Sequence, residues 1–416
     1  SIVKYHYEGG EKYQILQKAI ITISSVPINL RVMIKNRTWN LDLPKKQQKH
    51  KDKKKFEQFI AKNRNALLVL SRYDHSLKRS IVDIIDLNNF ETIHSYNYDI
   101  AEINERVDNV DEFPRLKIDL SAERVLVLHP LLFADGSLMS HYGPLFKIDF
   151  CSNIKWINDE EIFHHSQMLD HEGNIWVAGK FNPKSKYVKK KFSQKYNDDS
   201  IIKLSTEGKI LLKKSVTEML IENNFIYINF IRSRDNDPIH LNDIEPALTN
   251  TDYWLQGDLF ISSRNQSAII QYRPNSNRII NYITGPFAQQ HDVDIISDKE
   301  ISIFNNNNFI IDKKHSEVLV YNFETNKFRK LFNNQLKNNN FEAQSNGLSE
   351  ILDDGSLMVE ETIHGRIILF DQEGKKEWEF VNKDDNGDIG RLGWSRIIED
   401  VSLIEKFKKL VKNKKC

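Results

Sequence analysis

The sequence predicts an all-β fold, a six-bladed β-propeller, and three observations carry that expectation. First, one unit recurs: a polar residue, an apolar alternation, an acidic or glycine-containing turn, then a second apolar run. It reads LHPLLFADGSLMSH at 128–141, HHSQMLDHEGNIWVAG at 164–179, QHDVDIISDKEISIFN at 290–305 and NGLSEILDDGSLMVEE at 346–361, with a longer-turn version at 239–264. Second, each unit is followed by two more strand-like runs joined by polar turns, such as AIIQYRPNSNRIINYITG and RIILFDQEGKKEWEFVN. Units of four strands set roughly 40 to 75 residues apart have the spacing of propeller blades. Third, the chain is 40% hydrophobic and 10% aromatic, with frequent Ile, Phe and Tyr, a composition that suits strands around a sizeable core.

The elements follow in order. Residues 1–65 form a helical, basic extension: 13–34 is apolar and split at Pro27, and KKQQKHKDKKK covers 45–55. The plain reading of the basic run is a solvated linker or helix face. The sharper one is membrane-surface contact by residues 13–55. Nucleic acid is set aside, because no aromatic side chains interleave with the lysines. Residues 66–98 give three strands, and 100–114 a loop or short helix. Five complete blades start near Leu128, His164, Ile239, Gln290 and Asn346. RLGWSRIIED, at 391–400, is a lone inner strand. Joined to the strands of 66–98 it makes a sixth blade that closes the propeller over 66–400 and hides its edges. Seven blades result if those early strands stand alone. Residues 401–416 are a tail helix.

A net charge of +1 points to no global field. Two cysteines make no disulfide framework, and Cys151 reads as a small buried apolar residue. No apolar run is long enough to cross a membrane. The first residue is Ser1, so a leader or anchor upstream is left open.

Inner strands of a propeller line a common channel, so equivalent positions converge. Aligning the units brings together His129, His165, His240, His291, Asn346 and Arg396. Four of these six are histidine in a chain with only 13. His164 is set aside for its neighbour, and His129, followed by Pro130, reads first as a hydrogen-bonding residue between blades. Asn242 lies one side-chain repeat beyond His240, and Arg264 ends the second strand of that blade. Histidines could hold a metal, but Arg264 is a poor neighbour for a cation, so no metal is expected. A guanidinium fork suits a tetrahedral anion, and neutral imidazole serves as nucleophile, base or donor. The chemistry indicated is transfer of a small charged group through a histidine adduct. Trp176, Tyr142, Phe304 and Trp394 lie near the inner strands, packed between blades or shaping an aromatic pocket.

The segments DPIHLNDIE, GDLFISSRNQSAII and QQHDVDIISDKEISIFNNN, in that order, resemble the bacterial arylsulfotransferase family, which uses aryl sulfate esters and needs no nucleotide sulfate. FHHSQMLDHEGNIW resembles that family's first active-site histidine segment. The resemblance covers 128 to about 400. It implies a six-bladed propeller, no cofactor, and ping-pong transfer from a small-molecule sulfate ester donor to a hydroxyl acceptor. It puts the nucleophile at His291, the sulfuryl-oxygen donors at His165, His240 and Arg264, and a supporting donor at Asn242. His129, Asn346, Arg396 and Trp394 would complete the substrate-binding lining. It also implies a periplasmic location, or a membrane anchor facing the periplasm, and leaves a homodimer open. The short basic region before residue 66 and the lack of a cysteine pair there depart from the family. Three other readings stay open: a propeller that binds a sulfated molecule without turnover, a metal-dependent hydrolase or lyase, and an interaction scaffold, the last weakened by the lack of W-D dipeptides at strand ends.

Overall fold

The computed structural model describes residues 46–108, 122–181, 184–192, 196–225, 236–308, 315–414 and 416. The chain divides into two units, 1–43 and 44–416, and all described residues fall in the second. The helices expected over 13–34 lie outside them.

Among the described residues, six antiparallel sheets form the blades. Blade 1 runs Leu128–Leu132, Leu138–His141, Leu145–Ile148 and Ile154–Asn158. Blade 2 runs Ile162–Leu169, Ile175–Lys180, Asp199–Leu204 and Ile210–Ser215. Blade 3 runs Leu241–Pro246, Leu259–Ser263, Ala268–Arg273 and Arg278–Ile283. Blade 4 runs Val293–Ile295, Glu300–Asn305, Glu317–Asn322 and Lys327–Leu331. Blade 5 runs Leu348–Ile351, Leu357–Glu361, Arg366–Phe370 and Lys376–Val381. Blade 6 takes its inner strand, Arg396–Ile398, from the end of the chain and the other three, Leu67–Asp74, Arg79–Asp86 and Glu91–Tyr96, from its beginning. Leu67 pairs with Ile398 and Val69 with Arg396.

Successive side chains on a strand point to opposite faces, and here each face meets a different blade. In blade 6, Leu67 and Val69 join the apolar cluster shared with blade 1, while Leu68 and Leu70 join the one shared with blade 5. Similar clusters join blades 1 and 2, 2 and 3, 3 and 4, and 4 and 5. The middle strands are therefore buried on both faces, which explains their unbroken apolar runs.

Polar latches join the blades nearer the axis. Asp199 of blade 2 accepts the Leu241 amide at 3.1 Å, Asp243 the Val293 amide at 2.8 Å, Asp292 the Ser349 amide at 2.9 Å, and Glu350 the Ile397 amide at 2.9 Å. Blades 6, 1 and 2 use uncharged partners: the His129 amide donates to the Gly393 carbonyl at 2.7 Å, and the Gln167 side chain to the His129 carbonyl at 2.6 Å. Gly393 has no room for a Cβ, which would collide with the Val127 carbonyl.

Two features correct the sequence reading. Cys151 is not a lone apolar residue; it forms a disulfide with Cys416, 265 positions away, at a Cα separation of 5.2 Å. This ties helix Val401–Asn413, whose Ile404 and Phe407 are buried between blades 6 and 1, to the edge of blade 1. The described part of the basic extension, 46–65, holds no helix and is not a free linker. Phe56–Gln58 adds a fifth strand to blade 5, with Phe56 opposite Phe380. Lys46 pairs with Asp388 at 2.5 Å, Lys49 with Glu361 at 2.7 Å, Lys53 with Glu379 at 2.8 Å and Arg64 with Glu377 at 2.7 Å. Those lysines meet a blade's acids, which lie some 300 residues on and so give no local signal. Ile100–Glu105 is a short helix, capped by Asp99.

Candidate functional site

The site is built on a repeated backbone feature. Just before or within each inner strand one non-glycine residue takes a left-handed conformation: His129 (φ 48°), His165 (60°), His240 (51°), Gln289 (56°), Asn346 (62°) and Trp394 (60°). Such residues are uncommon, with Asn and His enriched among those tolerated, and each costs about 1–3 kcal/mol. In blades 1 to 3 the pairing ladder slips at or beside this residue, skipping His129–Pro130, His165–Ser166 and Asn242. A bulge re-aims side chains, and here it presents them to the channel.

The repeat corrects the alignment used to pick site residues. In blade 4 the left-handed position is Gln289, and His291 lies two residues on, at the level of Asn242. In blade 6 it is Trp394, with Arg396 two residues on. His291 and Arg396 are thus one side-chain repeat beyond His165 and His240.

Three histidines nonetheless converge. Ring centroids lie 5.4 Å apart for His165 and His240, and 6.1 Å for His165 and His291. Trp394 joins them, 6.2 Å from both His165 and His291 and 5.3 Å from His129. Trp176 and Phe304 instead pack between blades, and the Tyr142 hydroxyl donates to Asn104.

Each imidazole is held differently. His291 is 1% exposed. Its Nδ1 lies 2.6 Å from Asn306 Oδ1, and its Nε2 accepts the Asn346 amide at 2.9 Å, so the proton is on Nδ1 and both ring nitrogens are occupied. Asn306 is oriented by donating to the Ala343 and Asn346 carbonyls at 2.6 and 2.8 Å. Burial, with smaller contributions from Arg264 and His240, pushes His291 down to about 3. His165 shares a proton with His164, Nδ1 to Nδ1 at 2.8 Å, and His164 Nε2 lies 3.5 Å from Asp199. Burial first, then the neighbouring imidazoles, holds His165 well below the ordinary range. His240 stands apart: its Nδ1 lies 2.6 Å from Asp237 Oδ2, and its side chain is 33% exposed.

The other expected residues serve the frame as well as the channel. His129, held well below its ordinary range chiefly by burial, accepts the Gln167 amide at 3.3 Å across the junction of blades 1 and 2. Asn242 donates to the Gln290 carbonyl at 2.9 Å, leaving its buried Oδ1 unpartnered. Arg264 donates to Asn265 at 2.9 Å and Gln289 at 3.1 Å. Arg396 donates to the Gln167 carbonyl and faces the carboxylates Glu350, Asp243, Glu245 and Asp292. Burial raises those acids, Asp243 to about 6 and Glu350 to about 7. No group of three or more His, Cys, Asp or Glu among the described residues has metal-holding geometry.

A family model described as Arylsulfotransferase (ASST) matches residues 130–383. The chain belongs to the arylsulfotransferase family. It is therefore a transferase, of the class that takes aryl sulfate donors and phenol acceptors. No curated relative matches. Among solved structures, one from Bacteroides caccae, a protein of unknown function, is 12% identical over 80% of this chain and 100% of that one, with a TM-score of 0.49. A streptogramin B lyase is 12% identical (61% of this chain, 67% of that one, TM-score 0.36). Virginiamycin B lyase from Staphylococcus aureus is 11% identical (61% and 69%, TM-score 0.35). At these scores none of the three bears on the site.

Several residues that shape this arylsulfotransferase channel escaped the sequence reading. Asp237 is the third residue of DNDPIH (235–240), and a carboxylate three residues before the histidine of the H-x-N segment was a usable signal. Asn265 and Gln266, inside the S-R-x-Q segment, pin the Asp237 and Pro238 carbonyls at 2.6 and 2.5 Å. Asn306 sits in the NNNN run, and only the fold shows which of its asparagines reaches His291. His141, buried and pushed down to about 4 chiefly by that burial, props the His165 carbonyl at 2.9 Å.

Proposed function

We propose that the chain moves a sulfuryl group from an aryl sulfate ester to a phenolic or other hydroxyl acceptor, by a ping-pong route through a sulfo-histidine. The observation that carries this reading is the convergence of His165, His240 and His291 around Trp394, with Arg264 close enough to depress His291. Neutral imidazoles can attack sulfur or donate to its oxygens. Trp394, itself buried, packs edge-on against His165 and His291 and holds their rings in place. Charge spread on the sulfuryl oxygens during in-line transfer is met by fixed donors, each typically worth about 3 kcal/mol. The family resemblance assigns the attack to His291. The Cys151–Cys416 pairing supports work in an oxidising compartment such as the periplasm.

Initial rates with 4-nitrophenyl sulfate and a phenol test the reading. Parallel double-reciprocal lines, with a burst of nitrophenolate when no acceptor is present, are expected. Intersecting lines without a burst would overturn the covalent route. A folded protein that binds aryl sulfates but releases no phenolate would overturn turnover itself and leave a binding propeller.

A further inference from the structure

We propose that Lys180 is an anion subsite beside the channel histidines, and that the phenols this chain serves carry a second negative group, a carboxylate, sulfate or phosphate, away from the reacting oxygen. This subsite presupposes the sulfotransferase reading above and adds to it the class of acceptor and donor.

Lys180 ends the second strand of blade 2, opposite Ile162, two rungs beyond the pairing of Ala178 with His164. Trp176 and Ala178 pack toward blade 3, and alternation along the strand turns Lys180 to the same side. There it meets the residues that lead into the inner strand of blade 3. Its Nζ lies 3.5 Å from Asn197 Oδ1. Asn197 gives its side-chain amide to Asp237, and its backbone amide donates to the Asn236 carbonyl at 2.6 Å. Asp237 in turn meets His240 Nδ1 at 2.6 Å. A chain of polar contacts thus runs from Lys180 to the histidines, with Asn197 and Asp237 between. That spacing keeps the ammonium off a sulfuryl group held at the imidazoles. It sets the charge instead against what an aryl ring carries on its outer side.

The ammonium has donors to spare. It can make three hydrogen bonds, and among the described residues it makes the one long contact to Asn197, with no carboxylate at ion-pair distance. The acids nearby are engaged elsewhere. Asp198 accepts the Ser185 amide at 2.8 Å and the Ser215 hydroxyl at 2.5 Å, Asp199 the Leu241 amide at 3.1 Å, and Asp237 takes up His240. Lys180 is also half-buried, which weakens screening by salt. The insertion 181–198 follows it directly. Its helix, Lys186–Lys191, holds Lys186, Lys189 and Lys190 exposed and, among the described residues, without an acidic partner. Charge of one sign beside a cleft raises the local concentration of an anion.

The test gives the full chain 4-nitrophenyl sulfate and compares two acceptors of like shape, 4-hydroxyphenylacetate, which is anionic, and 4-hydroxyphenylacetamide, which is neutral. The ratio of their kcat/KM values on one preparation is independent of the folded fraction. The carboxylate should be favoured by about tenfold or more, the gain of a hydrogen bond between charged groups. Lys180→Gln should remove the preference, Lys180→Arg should keep it, and added salt should lower it in the parent. No preference in the parent, or a preference that survives in Lys180→Gln, overturns the subsite and leaves the sulfotransferase reading standing. If neither acceptor is sulfated, that reading falls, and equilibrium dialysis of the same two probes decides the subsite alone. Tighter binding of the carboxylate that needs Lys180 sustains it; equal binding overturns it.

Discussion

At the scale of the residue, Asn306 shows how the channel fixes the tautomer of His291, an imidazole that burial keeps neutral. The side-chain amide gives both hydrogens to carbonyls, so only its oxygen is left to meet Nδ1. Asn306→Ala should leave that N–H buried without a partner and cost about 1–3 kcal/mol in urea unfolding. The pH dependence follows in sign. His291 is held near 3, below its ordinary value, so the stability linked to it is full above about 6.5 and is lost as pH falls toward 3. The stability difference between the parent and His291→Gln should therefore shrink by as much as roughly 3 kcal/mol from pH 7 to 4. Glu350 behaves oppositely. It is held near 7, so its contribution is full below about 4.5 and is lost as pH rises through 7. Glu350→Gln should gain on the parent between pH 5 and 7.5, by on the order of 2 kcal/mol. The sequence made His165, His240 and His291 legible because histidines are scarce and recur at unit starts. It hid the two-residue offset of His291, since the bulges and left-handed turns that set it are backbone events without a fixed residue type.

At the scale of the element, residues 46–65, a strap along blade 5 that includes its fifth strand, close over a buried ion cluster. Glu361, fully buried, accepts from Arg366 at 2.7 Å, His50 at 2.6 Å, Lys49 at 2.7 Å and the Glu342 amide at 2.6 Å. Glu361→Gln leaves the Arg366 guanidinium, also fully buried, with the longer contact to Glu379, at 3.2 Å, as its remaining ion pair. Unfolding by denaturant should show a loss of about 3–5 kcal/mol. The blades themselves were legible because alternation, turn residues and unit spacing are local signals. The strap was not, because Lys49 and Glu361 are neighbours only once blade 5 exists. A lysine run reads the same whether solvent or acid faces it.

At the scale of the whole molecule, closure rests on the pairing of Leu67–Asp74 with Arg396–Ile398 and on the Cys151–Cys416 bridge behind it. In the chain-entropy picture a bridge over so long a loop is worth up to about 5 kcal/mol. Thermal unfolding should show a lower midpoint for the double variant Cys151→Ser, Cys416→Ser, and reductant should bring the parent down to the same value while leaving the variant unmoved. The same closure has a consequence for synthesis. The strand Leu67–Asp74 leaves the ribosome early, with Leu67 to Leu70 bound for the core, yet its inner partner is made only after the other five blades. At about 5–20 residues per second the nascent chain carries an open, apolar sheet edge for on the order of half a minute. A holding chaperone on that edge during the wait would do more for yield than any gain in the stability of the finished ring.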